Sequence, residues 1–223
     1  MKILLSHRYF WPDHPNCGQI LWYLTQNLAS QGHEVDVLTS LPSKDLNSKK
    51  IISEKFQILK NIKIERIDLS IEKKSPIKKL INGLKLGFRI NVLAIKNRYD
   101  VIISTTIPPV SGGFFAALAS YINKTKFIYF CMDLHPEVGK ISKDFSNPIL
   151  YKILEKIDNW SCEKANPIIV HSNDEAVRDI LLILESRQDF KTKSNNANFT
   201  WLENDSYEES FFKACDNVIN HYE

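Results

Sequence analysis

The chain has only four cysteines, Cys17, Cys131, Cys162 and Cys215, and no two of them are spaced C-x-x-C. That excludes the usual zinc and dithiol motifs and leaves reduced thiols in a cytosolic setting as the expectation. No metal is implied. No run reaches the roughly 18 uncharged apolar residues of a membrane span. The apolar run in Met1–His7 is too short for a secretory leader. No G-x-G-x-x-G follows the first apolar run, so the pyrophosphate turn of a dinucleotide-dependent dehydrogenase is missing. No internal repeat stands out. Residues 73–98 lack acid altogether but carry eight basic side chains: Lys73, Lys74, Lys78, Lys79, Lys85, Arg89, Lys96 and Arg98. The net charge is +3, so the remainder of the chain is −5 (3 − 8) and the basic character is local. No aromatic interleaving or recognised motif accompanies these charges, and no nucleic-acid partner is expected.

The composition is that of an ordinary globular chain, long enough to bury a full core. Ile3–Leu5 reads as a short buried strand. A loop rich in turn formers follows, from Phe10 to Gly18. A helix is expected over 19–31, with Ile20, Leu21, Leu24 and Leu28 on one stripe and Gly32 closing it. Val35–Leu38 is the second strand, so a β-loop-α-β unit fits within the first forty residues. Residues 43–61 read as loop plus a short element, and Ile62–Ile67 as a strand. Pro76 starts a long helix to Asn97 with the stripe Ile77, Leu80, Ile81, Leu84, Phe88, Val92 and Ile95. Gly83 and Gly87 argue against its regularity. Further strands are expected over 100–104, 127–132 and 167–172. Helices are expected over 113–121, 149–164, 173–184 and 207–222, the last with Phe211, Phe212, Cys215, Val218 and Ile219 on one side. Residues 188–198 are polar and aperiodic, as in a linker. The expected fold is α/β: one doubly wound parallel sheet of six or seven strands, a single Rossmann-like domain over 1–187, and a linker with a C-terminal helical tail over 188–223.

One segment concentrates chemistry. The apolar run Phe127–Met132 ends abruptly in Asp133, His135 and Glu137. Ionisable groups just past the carboxyl end of a buried strand are where open α/β sheets bind ligands.

Several stretches also carry a resemblance. Leu28-Ala-Ser-Gln-Gly-His-Glu-Val-Asp-Val-Leu-Thr39 resembles the L-A-x-x-G-H-E-V-x-V-L-T signature near the start of GT-B glycosyltransferases. The loop from Tyr9 to Gly18 is similar to the first-strand loop of the family 4 retaining enzymes. Asp133-Leu-His-Pro-Glu137 resembles their D-L-W-P-E element, with His135 in place of Trp. Ala165 to Ser172 resembles A-D-x-I-V-x-x-S, the last strand of their N-terminal domain. The resemblance covers about residues 1–185. It implies half of a GT-B fold, the acceptor-side domain. The second Rossmann-like domain of such enzymes, with its basic pair and E-x7-E element, has no counterpart here. Phe199-Thr-Trp-Leu-Glu-Asn204 is only loosely similar to their hinge.

The resemblance implies a hexosyl transfer from a nucleotide sugar, a substrate and not a cofactor, to a lipid-linked saccharide in cell-surface polysaccharide synthesis. A separate donor-domain subunit is an implied partner, and the chain alone is expected to lack turnover. Backbone N–H groups at Gly18 can face donor phosphates, or Gly18 is an ordinary turn residue. Asp13 either contacts substrate or caps the turn. Asp133 is the candidate that orients or deprotonates an acceptor hydroxyl, against a turn role at the strand end. His135 is the second candidate for that work, against a structural role. Glu137, Thr105 and Thr106 are candidate acceptor contacts. His33 lies at the opposite end of the sheet and reads as structural. The basic helix is either a solvated face or a docking face for an anionic inner membrane leaflet, through Lys78, Lys79, Lys85 and Arg89. That places the protein in the cytoplasm, peripheral on the membrane. A non-catalytic remnant or a membrane-associated interaction protein is the alternative.

Overall fold

The computed structural model describes residues 1–12, 16–42, 56–69, 75–133, 135–136, 138–139, 147–170 and 199–200. The helices expected over 173–184 and 207–222 and the linker over 188–198 lie outside them. The described elements are, in order, β1 (Lys2–Ser6), α1 (Asn16–Ser30), β2 (Glu34–Ser40), β3 (Phe56–Leu59), β4 (Ile62–Ile67), α2 (Pro76–Asn97), β5 (Val101–Thr105), α3 (Ser111–Asn123), β6 (Lys126–Cys131), α4 (Pro148–Lys164), β7 (Ile168–Val170) and β8 (Phe199–Thr200).

They form one eight-stranded sheet in the order β3-β4-β2-β1-β5-β6-β7-β8. All its strand pairs are parallel except β3–β4, which is antiparallel. The expected doubly wound parallel sheet is therefore present, extended by the edge strand β3 from the short element of 43–61 and by Phe199–Thr200 beside β7. The chain winds outward from β1 in both directions. Right-handed crossovers then put helices on opposite faces. Ile3 and Leu5 face α1 and its stripe Ile20, Leu21, Leu24 and Leu28. Leu4, one residue out of phase, joins Leu86 and Ile90 of α2, Ala116 and Ala117 of α3 and Cys162 of α4 on the other face. Alternation along a strand requires that split.

Local chemistry sets the helix ends. Ser75 caps α2 by accepting from the Lys78 N–H at 3.4 Å, with Pro76 in the first turn. Asn147 Oδ1 caps α4, accepting from the N–H groups of Ile149 (2.9 Å) and Leu150 (3.2 Å). Gly32 takes φ +89° after α1, the left-handed conformation that ends a helix cheaply only at glycine.

Helix α2 runs unbroken through both glycines over the expected limits, Pro76 to Asn97. A Cβ on Gly87 would sit 2.0 Å from Cδ2 and 2.4 Å from Cγ of Phe115, and one on Gly83 would sit 2.4 Å from Ser111 Oγ. The glycines are there because α3 crosses against them. Substituting Gly87→Ala should therefore lower stability by up to about 2 kcal/mol. Overpacking costs about 1–3 kcal/mol and outweighs the gain in helix propensity of about 1 kcal/mol. Gly83→Ala meets a hydroxyl that can rotate away and should cost less. Urea unfolding of both variants checks the order, and a Gly87→Ala stabilised by the full propensity gain of about 1 kcal/mol would contradict the close crossing.

The packed face of α2 is Asn82, Gly83, Leu86, Gly87, Ile90, Leu93 and Ala94, all buried. Most of the more apolar stripe read from the sequence points the other way. Ile77 is 70% exposed, Phe88 68% and Leu80 60%, with Ile81, Leu84 and Ile95 also exposed. At 3.6 residues per turn, Lys78, Lys85, Arg89 and Lys96 fall in one row along a border of this stripe.

Candidate functional site

The strand order reverses between β1 and β5. In an open α/β sheet the crevice at that point, beyond the carboxyl ends, is where ligands bind. The first residue past β1 is His7, which is buried, and its Nδ1 lies 2.5 Å from Thr105 Oγ1 at the end of β5. Thr105 Oγ1 also accepts from the Ile107 N–H at 3.2 Å. The ring is thereby fixed against the neighbouring strand end.

The adjacent strand ends are laced together. The Arg8 carbonyl accepts from the Ser40 N–H at 3.1 Å, Ser40 Oγ at 2.7 Å and Thr39 Oγ1 at 3.0 Å, joining β1 to β2. Thr106 Oγ1 accepts from the N–H groups of Met132 and Asp133, both at 3.3 Å, joining β5 to β6. Trp11 stacks on Trp22 of α1 with centroids 5.0 Å apart, and its carbonyl accepts from Arg66 Nη2 at 3.2 Å. Backbone amides and carbonyls buried at a sheet edge need such partners.

Of the residues singled out from the sequence, Thr105, Thr106 and Asp133 come together at this rim, with Asp133 exposed. Gly18 is buried in the first turn of α1. His135 is only 8% exposed and lines an apolar cavity between α2, α3 and α4. Asp13 and Glu137 lie outside the described residues. His33 sits at the amino edge, where its Nδ1 is 3.2 Å from the N-terminal amine. Sequence reasoning missed His7 as a site residue. The signal was present: it is an ionisable group directly after a buried strand, like Asp133 after β6. Among the described residues no three His, Cys, Asp or Glu side chains group to hold a metal ion.

No protein-family model and no curated protein matches the sequence. Solved structures do match. A sucrose-phosphate synthase from Thermosynechococcus elongatus aligns with a TM-score of 0.55 at 12% identity, over 90% of this chain and 47% of that one. Phytolacca americana UGT2 complexed with UDP-2-fluoro-glucose and pterostilbene aligns with a TM-score of 0.52 at 9% identity, over 91% and 52%. Its apo form gives 0.51 at 8% identity, over 91% and 51%. The chain has the fold of half a GT-B glycosyltransferase. It spans about half the length of these matching structures. At such identities the likeness is one of fold.

Within this GT-B half, the four basic residues proposed for membrane contact differ in setting. Lys78 and Lys85 are exposed, and Lys79 is half-buried beside the apolar cavity. Arg89 forms a two-pronged ion pair with the buried Glu65 of β4, through Nε to Oε1 and through Nη2 to Oε2 at 3.0 Å. The hydrogen bond to Glu65 pushes the guanidinium pKa up further. Arg89→Met should destabilise the fold by about 1–3 kcal/mol. It strands a buried carboxylate, although partial exposure of the arginine lets water soften the loss. Vesicle binding should change little. A variant of native stability that no longer binds vesicles would reverse this assignment.

Proposed function

We propose that this chain is the acceptor-side half of a sugar-transferring enzyme. It holds a lipid-linked saccharide at an anionic membrane surface while a nucleotide sugar is presented by a separate donor-binding domain. The observation that carries the membrane part is the solvent-facing apolar stripe of α2 with its row of basic residues. Helices that follow parallel strands start at the carboxyl edge of the sheet. The N-terminal half of α2, with Ile77, Leu80, Ile81 and Leu84, therefore lies at the same edge as His7, Thr105, Thr106 and Asp133. A saccharide attached to a lipid in that surface would lie beside the rim.

In this reading Asp133 accepts a hydrogen bond, and then the proton, from the acceptor hydroxyl. Thr106 positions the backbone at Met132 and Asp133. His7, fixed by Thr105, completes the rim. Gly18 lies where α1 begins, and the positive end of that helix favours donor phosphate. The sugar specificity resides in the donor domain, and the setting is polysaccharide assembly on the inner face of the membrane.

The test uses the purified chain with a panel of nucleotide sugars and a short-chain lipid-linked saccharide. The expected result is no release of free nucleotide by the chain alone, and transfer when a co-purifying donor-domain protein is added. Nucleotide release by the chain alone would overturn the half-enzyme reading. If no donor-domain protein co-purifies and nothing restores transfer, a non-catalytic interaction protein is the reading that stands.

A further inference from the structure

Between α2, α3 and α4 lies a cavity of about 310 Å³. Its hydrocarbon walls are Leu80 and Leu84 of α2, Phe114 and Phe115 of α3, and Leu154 and Ile157 of α4. Its polar groups come from Lys79, Ser111 and His135. Lys79 and Ser111 are in the opening turns of α2 and α3, and His135 follows β6, so all three lie toward the carboxyl edge of the sheet. The far end is walled by Leu84, Phe115 and Ile157. The cavity therefore has an end lined by polar residues, Lys79 among them, and a hydrocarbon end.

The surface around it is apolar on both sides. Leu80 and Leu84, which line the cavity, also belong to the exposed stripe of α2. Across α3, the first turns of α4 expose Ile149, Leu150 and Ile153, and Val138 is exposed at the cavity lining. A group entering from a bilayer would pass from apolar surface to apolar interior without crossing water.

From this geometry we infer that the cavity takes one hydrocarbon chain of a lipid phosphate, drawn out of the bilayer, with the phosphate against Lys79. Charge favours an anion: residues 73–98 hold eight basic groups and no acid. Size favours one chain. A cavity of about 150 Å³ accepts a benzene ring, so this one has room for about twelve carbons. It is also at the lower end of the 300–1,000 Å³ typical of small-molecule pockets. The inference deepens the membrane reading above and rests on it for the route of entry, but the binding itself needs no bilayer.

The probe is dodecyl phosphate, kept below its micelle concentration and titrated into the full chain by calorimetry. One saturable site is expected. Dodecyltrimethylammonium should bind at least about tenfold more weakly, since it places a cation against Lys79. Lys79→Met should weaken dodecyl phosphate and leave dodecanol unchanged, a split that mere loss of packing would not produce. Leu154→Trp fills the cavity and should abolish binding. Leu84→Trp crowds its hydrocarbon end from a half-exposed position, should weaken binding, and keeps the test sound if the first variant fails to fold. Unsaturable binding, equal affinity for the two head groups, or full affinity in a folded Leu154→Trp or in Leu84→Trp would each overturn the inference. Vesicle binding separates the two ideas. Lys78→Gln with Lys85→Gln should weaken vesicle binding about twenty- to thirtyfold yet leave dodecyl phosphate binding unchanged. A native chain that binds dodecyl phosphate but ignores anionic vesicles keeps the cavity and sinks the membrane reading. The converse keeps the membrane reading and sinks the cavity.

Discussion

Replacing Lys78 and Lys85 by Gln and Phe88 by Ser in one variant should weaken binding to anionic vesicles several hundredfold at low salt. Each lysine near an anionic surface contributes about 1 kcal/mol. A fully buried phenylalanine contributes about 1.5–3 kcal/mol relative to an exposed one. Phe88 is mostly exposed in the free chain, so most of that gain is available on docking. The three together come to about 3–4 kcal/mol, and every 1.4 kcal/mol is tenfold. Salt separates the contributions. The screening length falls from about 10 Å at 0.1 M to about 3 Å at 1 M, so the lysine share fades and the Phe88 share stays. None of the three side chains is in the packed face of α2, so stability should hold near the native value. Co-sedimentation with vesicles of stated anionic content measures the effect. If the native chain ignores such vesicles at low salt, or the triple variant binds as well as the native chain, α2 is a solvated face and the docking idea is lost.

That helix also shows where sequence reading succeeds and where it stops. Its limits, Pro76 to Asn97, were legible because an opening proline and an apolar period of helical spacing agree. Its orientation was not. Hydrophobic periodicity ranks stripes by apolar content, and Ile77, Leu80, Ile81, Leu84 and Phe88 outrank a stripe interrupted by Asn82, Gly83 and Gly87. Packing selected the poorer stripe because its small residues let α3 approach. A glycine reads as a weak point in a helix until its neighbour is known. The unit β1–α1–β2 was legible throughout, since its stripe, its closing glycine and its alternation have one consistent solution. β8 was not, because two residues in a polar stretch carry no period, and their pairing with β7 is a long-range fact. At the rim, Asp133 announced itself at the end of a long apolar run. His7 sits in an equivalent place after a shorter run, and only the strand order reveals that its neighbour is Thr105.

Raising the pH from 10 to 11 should cost the fold about 2 kcal/mol. The loss comes from two tyrosines, Tyr99 and Tyr129, both buried. Burial raises the pKa of Tyr99 far above its ordinary value, and the hydrogen bond it donates to Asp36 Oδ2 at 2.5 Å raises it further. Burial likewise raises Tyr129, with the charge of Asp158 beside it, 3.3 Å from the hydroxyl. The folded chain therefore keeps both phenols protonated at a pH where the unfolded chain releases them, starting near the ordinary value of 10.0. The stability they contribute is complete below that pH and is lost as pH rises toward the folded values. Each contributes about 1 kcal/mol over this interval, because the unfolded phenol goes from half to nearly fully ionised, and the slope reaches its limit of about 1.4 kcal/mol per pH unit only above it. Urea unfolding at pH 9, 10 and 11 reads the slope directly, and Tyr129→Phe should halve it. Phenol absorbance supplies a second reading, because the two tyrosines should ionise only with unfolding. A stability that is flat from pH 9 to 11 would mean that these phenols ionise in the folded chain, and the burial that raises them would then be less than the packing of Tyr129 against Phe127 and Gly113 implies.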